Sequence, residues 1–104
     1  MPEVRNLGSS DEIRSFVEQY PKTVIMFGSD MCGHCRTMKP EFRNMSDKYG
    51  GIKFGFVDTQ KVRVSGITGI PVFILYFRDH KPTKVVGADK NSLEQKLQKL
   101  NNGR

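Results

Sequence analysis

Hydrophobic residues recur at helical spacing early in the chain, where Ile13, Phe16, Val17 and Tyr20 form one stripe that ends at Pro21. Ser9 followed by Glu12 reads as a capping box at its start, and a short strand is expected around Val4. Thr23 to Phe27 lacks polar alternation and is too short for a helix, the pattern of a strand covered on both faces and central in its sheet. A second stripe, Met38, Phe42, Met45 and Tyr49, predicts a helix from about Cys32 to Tyr49, kinked at Pro40 and ended by Gly50-Gly51.

Ile52 to Val57 reads as an alternating strand, Asp58 to Ser65 as a short helical turn, and Val72 to Phe77 as an apolar strand. The turn Arg78-Asp79-His80-Lys81 leads into a strand over Thr83 to Val86. Asn91 with Glu94 is expected to cap a last helix, with Leu93, Leu97 and Leu100 facing the core until Asn101-Asn102-Gly103. The order β-α-β-α-β-(α)-β-β-α requires parallel crossovers first and a hairpin last. It therefore predicts an α/β fold, a mixed central sheet flanked by helices.

Size and composition narrow the reading. With 104 residues, 37% of them hydrophobic and 27% charged, the chain suits one globular domain, expected over residues 1–104. Val72 to Phe77, the longest apolar run, is far short of the ~20 residues of a membrane helix. Glu3, Arg5, Asp11, Glu12, Arg14 and Glu18 leave no apolar centre for a secretory signal in the first twenty residues. A cytoplasmic monomer without membrane association is expected, or a protein whose signal has been removed. Seventeen Lys and Arg against eleven Asp and Glu give +6, but the cations are spread along the chain without a basic run. No nucleic-acid partner is expected.

The chemistry lies in the only two cysteines, Cys32 and Cys35, within Met31-Cys32-Gly33-His34-Cys35 at the junction of a buried strand and a helix. At a helix start, Cys32 meets unpaired backbone N–H groups and the positive end of the helix dipole, both of which stabilise a thiolate. A thiolate is the attacking species in disulfide exchange. Cys35, one turn later, is near enough to close a disulfide with Cys32, and Gly33 leaves room for another backbone to approach. Cys32 is thus expected to be the nucleophile and Cys35 the resolving thiol. An inert structural bridge is the weaker reading, because a four-residue loop constrains the unfolded chain little. Zinc on Cys32, His34, Cys35 and His80 lacks a recognised ligand spacing, and no metal or other cofactor is expected. Arg36, Lys39 and Arg43 form a basic stripe beside the site, read as a solvated helix face in preference to an attractor of acidic clients.

Cys-x-x-Cys at such a junction, Gly69-Ile70-Pro71-Val72 before an apolar strand, Pro40 in the following helix, Asp58 and Gly87 together resemble the thioredoxin family, from about Thr23 to Leu100. The resemblance implies a thioredoxin fold, a cis Pro71, and a client segment that pairs with the Ile70 backbone beside Cys32. Met31, Ile70 and Pro71 are carried over as substrate contacts. It further implies a protein disulfide oxidoreductase with disulfide-containing protein substrates and a reductase or other thiol electron donor, acting in electron transport and cell redox homeostasis. Four positions depart from the family pattern. Met31 and Gly28 stand for its tryptophans, Met26 for its buried aspartate and Phe54 for that aspartate's lysine, and the segment from Asp58 to Pro71 is slightly short. Without the aspartate, His34 or water is left to accept the Cys35 proton.

Cys-Gly-His-Cys is the arrangement of protein disulfide isomerases, and an imidazolium at His34 would favour the Cys32 thiolate, making Gly33 and His34 redox-tuning positions. A disulfide isomerase or oxidase-type domain is therefore one alternative. A non-catalytic binding module that keeps the fold is the other.

Overall fold

The computed structural model describes residues 3–103; of the expected domain over 1–104, Met1, Pro2 and Arg104 lie outside the described residues. The elements follow the expected order: β1 (Val4–Asn6), α1 (Ser10–Gln19), β2 (Lys22–Gly28), α2 (Gly33–Lys48), β3 (Lys53–Asp58), β4 (Val72–Phe77), β5 (Thr83–Val86) and α3 (Lys90–Asn101). The sheet runs β1-β3-β2-β4-β5, with β1, β3 and β2 parallel and β4 and β5 antiparallel. A mixed sheet flanked by three helices results.

The missing polar alternation in β2 has a direct cause. Val24 and Met26 face a core shared with Met38, Phe42 and Met45 of α2 and with Leu93, Leu97 and Leu100 of α3. Ile25 and Phe27 face a second core with Phe16 and Leu7. Both faces are covered, so both must be apolar. Each fully buried Leu or Phe here contributes about 1.5–3 kcal/mol of apolar transfer, and the central strand collects this on two sides.

The alternation expected over Ile52 to Val57 is absent for the same reason, since Phe54, Gly55, Phe56 and Val57 are all buried between β1 and β2. Phe54 and Phe56 join the first core and Val57 the second. Gly55 makes this possible: a Cβ there would lie 2.9 Å from Leu7 Cδ1 and 3.0 Å from Phe16 Cε2. The short helical turn expected at Asp58 to Ser65 is a single turn that ends at Val62: the Lys61 and Val62 N–H groups donate to the Asp58 carbonyl, and no helix follows. A single turn without following helical bonds does not propagate.

Helix ends follow local chemistry. Ser9 caps α1 by accepting the Glu12 N–H at 3.1 Å, and the Glu12 carboxylate reaches back to the Gly8 N–H at 2.7 Å. The cap of α3 is not Asn91. Asp89 accepts the Ser92 N–H at 3.0 Å, so the helix starts at Lys90 and takes Asn91 into its first turn. A carboxylate at the helix N-terminus also meets the positive end of the dipole, which an amide does not exploit as well. Helix α2 runs through Pro40, which cannot supply the N–H that the Arg36 carbonyl would otherwise accept.

The register between β2 and β4 positions the site. Phe27 pairs with Val72, so the end of the central strand and the start of its antiparallel neighbour lie side by side. The turn leaving β2 toward α2 therefore faces the segment entering β4, beyond the carboxyl end of a parallel strand, where open α/β sheets hold their ligands.

Candidate active site

Ser29 shapes the turn that delivers the first cysteine. It is buried; its hydroxyl accepts the Met31 N–H and its carbonyl the Cys32 N–H, both at 3.1 Å. Short hydroxyl-to-backbone bonds of this kind fix tight turns. The turn leaves Met31 78% exposed and sets Cys32 as the N-cap of α2. Cys32 Sγ accepts the Cys35 N–H at 3.3 Å. A sulfur thus occupies the place that Ser or Asp takes in ordinary caps.

Both thiols are free, so this is the dithiol form of the pair. Cys32 is half-buried and Cys35 buried. The Cys32 thiol is held below its ordinary value, first by the hydrogen bond from the Cys35 thiol and then by the Cys35 backbone N–H; burial opposes this, and the His34 backbone N–H and the charge of Arg36 add smaller lowering contributions. Cys35 moves the other way, to about 11, chiefly because burial disfavours its thiolate and then because it donates to Cys32. Ser29's backbone opposes this slightly, and the Asp30 carboxylate adds to it. One thiol is poised to ionise and the other to stay protonated.

Gly28 accounts for where the Cys35 sulfur sits. A Cβ at this position would lie 3.0 Å from Cys35 Sγ, and the methyl of Met26 would be 3.5 Å away. The end of β2 is therefore bare against the second cysteine. Met26 itself is fully buried in the core with Phe54, Phe56 and Phe73. An ionised carboxylate has no place among these side chains without a partner, and Phe54 supplies none.

Opposite the cysteines, the Ile70–Pro71 peptide is cis, as the resemblance implies. The Ile70 carbonyl lies 3.9 Å from Cys32 Sγ, and the Pro71 carbonyl accepts the Gly87 N–H at 2.8 Å, tying the loop to the end of the β5 strand. Gly87 has φ +89°, a conformation that suits glycine. Pro71 is buried while Ile70 remains half-exposed.

The remaining expected residues fall as follows. Gly33 is the first residue of α2, with no neighbour closer to its missing Cβ than the Arg36 guanidinium at 4.0 Å. His34 is exposed, and its backbone N–H is the part of it that acts on Cys32. Arg36, which the motif did not single out for tuning, supplies charge there while its guanidinium donates to the Asp30 carbonyl at 2.9 Å. Lys39 pairs with the Asp30 carboxylate at 3.3 Å and stands over the Phe56 ring. His80 is not brought to the cysteines: it stacks on Phe77 at the far end of β4, so the four-ligand zinc set does not assemble. Ser29 was not singled out from the sequence, and Arg36 only as one member of a basic stripe.

Fold and site together define a thioredoxin-fold protein that carries a Cys-x-x-Cys dithiol at the start of α2. The Thioredoxin family model matches residues 6–99. Among curated relatives, thioredoxin H2 of Arabidopsis thaliana is 31% identical over 74% of this chain and 61% of its own length. The TPR repeat-containing thioredoxin TDX of the same plant is 36% identical over 91% of this chain and 27% of its own length. The chain thus spans less than two thirds of either relative. The crystal structure of a Malassezia sympodialis thioredoxin superposes with a TM-score of 0.88 at 26% identity, covering 97% of this chain and 93% of that one. The chain belongs to the thioredoxin family. No helix among the described residues is long and apolar enough to cross a membrane.

Proposed function

We propose that this protein exchanges disulfides with protein clients, with Cys32 as nucleophile and Cys35 as resolving thiol. The observation that carries the reading is the placement of two free thiols across a single helical turn, Cys32 Sγ capping α2 and accepting the Cys35 N–H at 3.3 Å while Cys35 is buried, an arrangement that displaces the two thiols in opposite directions. The Cys32 thiolate attacks one sulfur of the client disulfide, forming a mixed disulfide and releasing the other client sulfur as a thiolate. Cys35 then loses its proton and attacks Cys32 Sγ, closing the Cys32–Cys35 disulfide and releasing the second client thiolate. The client gains two electrons and the protein loses two, which a thiol donor such as a reductase restores.

The missing buried carboxylate is less of an obstacle than it first looks. In the mixed disulfide Cys32 carries no charge and accepts no Cys35 proton, so two of the effects that hold the Cys35 thiol up disappear. Burial remains, with the Ser29 backbone opposing it, and solvent or His34 takes the proton. Client segments lie along Ile70 and Pro71, with Met31 and Gly33 at the open rim. The dithiol direction fits a reducing compartment such as the cytoplasm, with the protein acting as a monomer without bound cofactor.

The test is turnover of a disulfide-bonded protein substrate with dithiothreitol as donor, followed on the substrate because the chain has no Trp. Catalytic reduction that Cys32→Ser abolishes is expected; binding without turnover would favour the non-catalytic module.

A further inference from the structure

Beside the site runs a groove of about 560 Å3, lined among others by Thr59, Lys61, Arg63, Ile67 and Ile70. It is continuous with the reacting centre, since Ile70 is also the residue whose carbonyl faces Cys32 Sγ. Its charge is one-sided. No carboxylate lines it, and Lys61 and Arg63 are exposed. Neither takes part in an ion pair among the described residues, whose carboxylates Asp30, Glu41 and Glu94 hold Lys39, Lys90 and Lys48 instead. The nearest acid in sequence, Asp58, turns its carboxylate to the Gln60 N–H. The basic helix stripe differs, because Arg36 and Lys39 are both engaged at Asp30.

We propose that this groove selects clients carrying carboxylate side chains close to the reacting disulfide. The proposal rests on the oxidoreductase activity proposed above and adds the chemistry of its substrates. An extended client segment that passes Ile70 enters the groove beside Lys61 and Arg63, and an extended chain advances about 3.3–3.6 Å per residue. Acidic residues a few positions from the reacting cysteine therefore meet Lys61 and Arg63 while the cysteine faces Cys32. Exposed charge pairs are individually weak and screened by salt, so the selection is a preference in rate, with neutral clients still reduced.

The experiment uses three peptides, each with a single cysteine held as a mixed disulfide with 2-mercaptoethanol and flanked at two and three residues on both sides by Glu, Gln or Lys. The rate with the reduced protein is divided by the rate with dithiothreitol alone, which removes intrinsic differences in disulfide reactivity. The Glu peptide is expected to react about fivefold faster than the Gln peptide at low salt, with the Lys peptide slowest and the spread shrinking as salt is added. Lys61→Glu with Arg63→Glu should bring the Glu-to-Gln ratio to one or below. Lys96→Glu with Lys99→Glu makes the same change in net charge on α3 and should keep the ratio. Equal rates for Glu and Gln peptides, a ratio that survives Lys61→Glu with Arg63→Glu, or an equal loss in the α3 variant would each overturn the groove. No acceleration on any peptide would overturn the oxidoreductase reading and the groove with it.

Discussion

Cys32 Sγ accepts the Cys35 N–H at 3.3 Å, so one sulfur serves both as the cap of α2 and as the more acidic thiol of the pair. Structural and chemical roles coincide in that atom. Ionising it strengthens the cap, because a thiolate is a better acceptor than a thiol and meets the helix N-terminus with the favourable sign.

Alkylation reads this asymmetry directly. With Cys32 lowered and Cys35 raised to about 11, iodoacetamide at neutral pH should modify Cys32 first and leave Cys35 largely untouched, as mass spectrometry of the digested protein would show. The rate should rise with pH to a midpoint below 9.0, the ordinary thiol value here, since only the thiolate reacts. The two macroscopic steps belong to the pair. Faster modification of Cys35 would reverse the assignment of poise.

Substitution at His34 separates backbone from side chain. The His34 N–H helps hold Cys32 down, and proline removes that donor while alanine keeps it. His34→Pro should raise the Cys32 pKa and make the pair more reducing, by up to roughly 30 mV per pKa unit well above both values. Thiolate absorbance and glutathione equilibration on the same variants measure both quantities. His34→Ala should shift them less, and an equal shift would assign the tuning to the imidazole.

The cap of α3 gives a stability test remote from the chemistry. Asp89→Ala should cost about 1 kcal/mol in urea unfolding, since it removes the acceptor of the Ser92 N–H. Asn91→Ala should cost much less, because Asn91 lies inside the helix.

That pair also marks how far the sequence could be read. Both Asn91-x-x-Glu94 and Asp89-x-x-Ser92 offer a capping side chain, and only backbone geometry decides between them. Strands β4 and β5 were legible to the residue, because apolar runs bounded by Pro71 and a polar turn leave one solution. The β3 strand was misread as half-exposed, since nothing local in Lys53–Asp58 says that β1 and β2 flank it or that Gly55 admits Leu7 and Phe16. At the site, Cys32 and Cys35 were legible from spacing and position, and the Ile70–Pro71 loop from resemblance. Gly28 against the Cys35 sulfur, the Ser29 turn and the Arg36 charge were not, because each depends on a distance that sequence does not contain.

The division of labour between the cysteines is the centre of this account, and trapping tests it most directly. Cys35→Ser leaves the attacking thiolate and removes the resolver, so disulfide-bearing clients should accumulate as mixed disulfides on Cys32, visible on non-reducing gels and released by dithiothreitol. Cys32→Ser, which leaves only a buried thiol with its pKa pushed up, should trap far fewer. More adducts on Cys32→Ser than on Cys35→Ser would contradict the account, making Cys35 the nucleophile and Cys32 the resolving thiol.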